Sequence, residues 1–90
     1  MERVEYELMN ALEQDFWWYR ALHATIRERL LRLQLPAGAN VLDAGCGTGG
    51  LLHHLMLNAA QCQYTGLEWH TDAAALAAEK SGVPVTRGSV

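Results

Sequence analysis

Cysteine is scarce in this chain: among 90 residues there are two, Cys46 and Cys62. Their separation does not match the paired spacing of a zinc site, so both read as free spectator thiols. The four histidines offer no better chelate. His53 and His54 are neighbours that a helix would splay about 100° apart, and His23 and His70 have no partner in sequence, so no metal site is expected. Basic residues are also few: 7 Lys and Arg stand against 10 Asp and Glu, for a net charge of −3. A nucleic-acid backbone gains nothing from that field. Long apolar runs of membrane-spanning length are missing, and Met1-Glu2-Arg3-Val4-Glu5 lacks the basic-then-apolar order of a signal peptide. A cytoplasmic setting is expected, with neither nucleic acid nor membrane as partner. Repeats and low-complexity linkers are absent as well.

What is present begins with helical periodicity. Leu8, Leu12, Phe16, Tyr19, Leu22, Ile26, Leu30 and Leu33 recur at three- and four-residue steps and give one apolar stripe. Glu13, Arg20, Arg27 and Glu28 occupy the other side. Asp15, followed by Phe16, Trp17, Trp18 and Tyr19, is a natural break between a short leading helix and a longer one. Pro36 and Gly38 end the helical region, which spans 1–37.

Residues 38–90 change character. Asn40-Val41-Leu42-Asp43-Ala44 starts as a buried strand, and Gly45, Gly47 and Gly49 turn the backbone sharply, with no Cβ in the way of a ligand. A helix over Leu51 to Asn58 would aim its first N–H groups at whatever occupies the turn. Cys62 to Leu67 reads as a second strand. Thr71 and Asp72 read as N-terminal caps for an alanine-rich helix over Ala73 to Lys80, with Gly82 as its stop. Val83 to Val90 begins a third strand. The order is helical region, then β-α-β-α-β, with right-handed crossovers.

Two cofactor templates compete for this turn. Gly45, Gly47 and Gly50 spell the G-x-G-x-x-G dinucleotide fingerprint, with Glu68 about twenty residues on to hold a ribose. Asp43 weighs the other way. An acid just before the first glycine gives a pyrophosphate nothing and suits a cationic ligand. S-adenosylmethionine, with a sulfonium and an ammonium group and no phosphate, is such a ligand.

Val41-Leu42-Asp43-Ala44-Gly45-Cys46-Gly47-Thr48-Gly49 resembles the first motif of the class I S-adenosylmethionine-dependent methyltransferases, and Tyr64-Thr65-Gly66-Leu67-Glu68 is similar to their second strand. Asp15-Phe16-Trp17-Trp18-Tyr19-Arg20 resembles a segment that precedes the core in a bacterial branch acting on small molecules. The resemblance implies an α/β, Rossmann-like doubly wound sheet and methyl transfer from S-adenosyl-L-methionine to a small-molecule acceptor. It implies that Ala44, Gly45, Cys46, Gly47 and Gly49 cradle the methionine part, Asp43 helping through water or by fixing the loop. Glu68 would accept hydrogen bonds from the ribose hydroxyls, and Trp69 would lie against adenine. Ser89 stands where relatives place an adenine-binding aspartate. Trp17, Trp18 and Tyr19 either anchor the helix to the sheet, the reading preferred here, or close over the cofactor as a lid. No catalytic base is assigned; it would come from later segments.

A doubly wound sheet needs more strands than this chain supplies. The expectation is the N-terminal half of such a domain, cut short, inactive by itself and with one sheet face bare. Such a piece should be poorly stable or should self-associate through that face. Two alternatives stand beside the enzyme: a non-catalytic remnant that binds a partner, and a nicotinamide-dinucleotide-binding domain.

Overall fold

The computed structural model describes residues 2–13 and 16–90, with side chains for residues 2–10 and from 16 onward. Seven elements follow one another: α1 (Arg3–Glu13), α2 (Trp17–Arg32), β1 (Asn40–Ala44), α3 (Gly50–Asn58), β2 (Gln63–Glu68), α4 (Thr71–Ser81) and β3 (Val85–Arg87). The predicted order holds throughout. The helical region does divide into two, although Asp15, the expected break, lies outside the described residues, as does the side chain of Leu12.

The three strands form a parallel sheet in the order β1-β2-β3. Register places Val41 beside Tyr64, and Asp43 beside Gly66, which in turn pairs with Val85. These positions face the helices. Buried Leu52 and Leu55 of α3, Ala77 of α4, Tyr64, Val83 and both cysteines make the core. Gly66 is required there: a Cβ on it would meet the Leu52 side chain at 2.9 Å and the Cys46 sulfur at 3.0 Å. The Tyr64 hydroxyl, buried by the same packing, donates to the Ala59 carbonyl at 2.5 Å.

The opposite sheet face carries Leu42, Thr65, Leu67 and Thr86, and Leu42 is 57% exposed. No described element covers it. The outer layer on the other side is α1 against α4 and α2 against α3. The apolar stripe of the first third therefore meets the core at Leu30 and is otherwise not a core face among the described residues. No residue of α2 is buried, because α2 meets α3 along one edge and leaves the rest of its stripe over a cleft.

Two local expectations are corrected. The N-cap of α4 is His70, whose Nδ1 accepts from the Ala73 N–H at 3.4 Å, and Thr71 and Asp72 lie inside the helix. Imidazole is not among the favoured capping side chains, so the usual signal pointed one residue too far. At the other end Gly82 stops the helix as expected, in the left-handed region at φ 71°. Of Trp17, Trp18 and Tyr19, the first two do not anchor α2 to the sheet. Trp17 is 76% exposed, and Trp18 stacks on Tyr19 with ring centroids 4.0 Å apart. No described helix is long and apolar enough to cross a membrane.

Candidate functional site

The site is built on the turn that leaves β1. The N–H groups of Gly45 and Cys46 both donate to the Leu67 carbonyl, at 2.7 and 3.0 Å, which folds the turn back over the end of β2. Gly45 and Gly47 have φ of 76° and 58°, and a Cβ built on either meets nothing within 4 Å. Both therefore need glycine for backbone conformation, and both leave open space in front of the loop. Gly49 differs. At φ 88° its Cβ would stand 2.7 Å from the Cα of Ala77, so it lets α3 approach α4 rather than a ligand approach the loop.

Glu68 closes the site from below. The residue is 5% exposed; Oε1 accepts from the Gly47 N–H and Oε2 from the His70 N–H, each at 3.0 Å. One side chain thus ties the glycine turn to the start of α4. A carboxylate has about four acceptor positions, so both oxygens keep capacity for a ligand.

Above the turn lies a cleft of about 340 Å³, in the size range of small-molecule sites. Its floor includes Asp43, Gly45, Cys46, Gly47 and Glu68. Its roof is Tyr6 and Met9 from α1 with Tyr19, Leu22, His23 and Ile26 from α2. Tyr6 is buried and packs its ring on His70, centroids 4.3 Å apart. Burial, reinforced by the Glu68 and Glu5 carboxylates, pushes its hydroxyl above the usual phenol value. Burial likewise pushes the Cys46 thiol up to about 11, with Asp43 and Glu68 adding to it, so the sulfur stays protonated and is no nucleophile. His54 lies beside His23, ring centroids 5.7 Å apart. Burial, then Arg27 and His53, hold it below the ordinary histidine value. Among the described residues no group of three or more His, Cys, Asp or Glu could hold a metal ion.

Residues 16–85 match the methyltransferase domain family. The chain belongs to that family. Solved methyltransferases share its fold. A TehB-like S-adenosylmethionine-dependent methyltransferase from Corynebacterium glutamicum ATCC 13032 Kitasato is 21% identical, with a TM-score of 0.56 over 88% of this chain. The sugar N-methyltransferase KedS8 from Streptoalloteichus sp ATCC 53650 is 27% identical, with a TM-score of 0.63 over 93% of this chain. The chain spans 46% of the first structure and 32% of the second. No curated protein sequence matches it.

Of the site residues expected from sequence, the methyltransferase domain brings Asp43, Gly45, Cys46, Gly47 and Glu68 to one cleft. Gly49 lies behind the loop, and Ala44 ends β1 on its exposed side. Trp69 is 61% exposed and stands edge-on to His70, outside the cleft lining. Ser89 is exposed beyond β3, which is tied to the end of β2 by the Gly88 N–H on the Glu68 carbonyl at 3.1 Å. Sequence reasoning reached the roof only at Tyr19, through the less favoured lid reading, and missed Leu22, His23 and Ile26. Tyr19, Leu22, His23 and Ile26 follow helical spacing, and that pattern is the same for a core face and for a cleft wall.

Proposed function

We propose that this chain carries the cofactor-binding part of an S-adenosyl-L-methionine-dependent methyltransferase acting on a small-molecule acceptor. The observation that carries it is the Glu68 carboxylate facing, in one cleft, the open left-handed turn at Gly45 and Gly47. The residues fit such a cofactor. The space before both glycines accepts its amino-acid end, and Glu68 retains lone pairs for two ribose hydroxyls, as charge-assisted bonds. Two carboxylates, Asp43 and Glu68, share this cleft, and among the described residues no Lys or Arg lines it. That charge pattern suits a sulfonium and an ammonium group and repels a pyrophosphate, so it disfavours a nicotinamide dinucleotide.

When bound, S-adenosylmethionine supplies an electrophilic methyl carbon for direct displacement by an acceptor lone pair. The chain's own work is alignment and exclusion of water. Backbone groups of Ala44, Gly45 and Gly47 hold the amino-acid end, with Asp43 beneath. Glu68 fixes the ribose, and Tyr6, Tyr19 and Leu22 keep the cleft dry from above. Calorimetric titration with S-adenosylhomocysteine tests this. Saturable binding that weakens on Glu68→Ala supports it; preferential binding of a nicotinamide dinucleotide overturns it.

A further inference from the structure

A second hollow, of about 300 Å³, lies beside the cofactor cleft. Glu5, Leu8 and Met9 of α1 form one wall, and Phe16, Trp18 and Tyr19 at the start of α2 form the other. Met9 and Tyr19 line both spaces, so the two adjoin there. The aromatic side is ordered by its own contacts. Trp18 stacks on Tyr19, and Phe16 stands edge-on to Trp18 and Tyr19 with centroids 6.2 and 6.3 Å away. Phe16 and Trp18 are each 43% exposed. Two adjoining aromatic rings left open to solvent beside the half-buried Tyr19 mark a binding surface rather than packing. Neither Phe16 nor Trp18 is among the described residues that line the cofactor cleft.

We propose that this hollow receives the body of the methyl acceptor, and that the acceptor is a flat, largely apolar molecule bearing an amine. The inference rests on the methyltransferase reading above. Aromatic walls select flat apolar groups, and their negative ring faces attract a cation. Among the described residues of the lining Glu5 is the charged one; it complements an ammonium group and repels an acid. The remaining end of the acceptor passes between Met9 and Tyr19 into the cofactor cleft, where the methyl donor lies. There the acceptor's heteroatom lone pair forms the new bond to the methyl carbon. The carbon–sulfur pair departs with the sulfur as a thioether, and the acceptor's proton goes to solvent.

Titration of the whole chain with phenethylamine and, separately, with its acidic counterpart 3-phenylpropionate tests the hollow. The amine is expected to bind at least about tenfold more tightly than the acid, a gap in the range of a desolvated cation–π contact plus a carboxylate. Trp18→Ala should weaken the amine by a similar factor. Glu5→Gln, at an exposed position of α1, should shrink the amine-over-acid preference. Equal binding of the two probes, or amine binding that both variants leave unchanged, overturns the proposal. S-adenosylhomocysteine titrated into the same samples separates the two layers. If it binds while phenethylamine does not, the hollow fails and the cofactor site stands; if neither binds, the underlying reading fails too.

Discussion

Glu68 shows how one side chain can serve fold and ligand together. It is buried, and its two oxygens accept from Gly47 and His70, so Glu68→Ala removes more than a ribose contact. It leaves two backbone N–H groups without their acceptor, a penalty of about 1–3 kcal/mol each where water cannot reach them. The expected outcome is a double loss: affinity for S-adenosylhomocysteine lower by at least about tenfold, and a lower melting temperature. Glu68→Gln should fall between on both measures, since its amide has one acceptor oxygen for two donors. Unchanged affinity with a lowered melting temperature would leave Glu68 a purely structural latch. The sequence located this residue by its distance from the turn but did not reveal its bonds to Gly47 and His70, because a motif records spacing and not hydrogen-bond partners. Cys46 makes a second residue-level prediction. Its thiol moves from 9.0 to about 11 on folding, so the folded state holds its proton over a range where the unfolded chain releases it. Stability present below pH 9 is then lost as pH rises toward 11. Melting temperatures across that range should fall, and Cys46→Ala should flatten the decline; an identical slope in both proteins would refute the assignment.

Among elements, the glycine turn and the two helices behind it divide the labour between Gly45 and Gly49. Both sit in the left-handed region, which costs an alanine about 1–2 kcal/mol. Gly45 faces open space, whereas Gly49 abuts the Ala77 backbone, adding an overpacking cost of about 1–3 kcal/mol. Gly49→Ala should therefore be the more destabilising in denaturant titration, and Gly45→Ala the more damaging to cofactor affinity relative to its stability loss. The reverse order would refute this division. A single string of alternate glycines does not distinguish the two jobs, because the difference lies in what the helix of residues 71–81 brings alongside. The same limit explains α4's cap. His70 occupies that position because Glu68 holds its N–H, a contact invisible to capping propensity.

The whole molecule presents one helix-covered sheet face and one exposed face bearing Leu42, Thr65, Leu67 and Thr86. Parallel strands are ordinarily covered on both sides, so concentration-dependent self-association is expected in sedimentation velocity, and Leu42→Lys should shift it toward monomer. A wild-type chain that stays monomeric at every concentration would count against the face as an interface. The alternation of strands and helices along the chain was legible in the sequence because each element carries its own periodicity, whereas the order of the strands in the sheet was not. Nor was the cleft roof, because α1 and α2 keep their apolar stripe for a space that only the assembled layers define. The strand order has one further outcome. Each strand pairs with the next one made, β1 with β2 and β2 with β3, so no strand waits for a distant partner. A ribosome adding about 5–20 residues per second would release the glycine turn, its helix and Glu68 in sequence. The cleft floor can then close while later segments are still being translated, and protease protection of stalled nascent chains would detect this once residues through 87 have emerged.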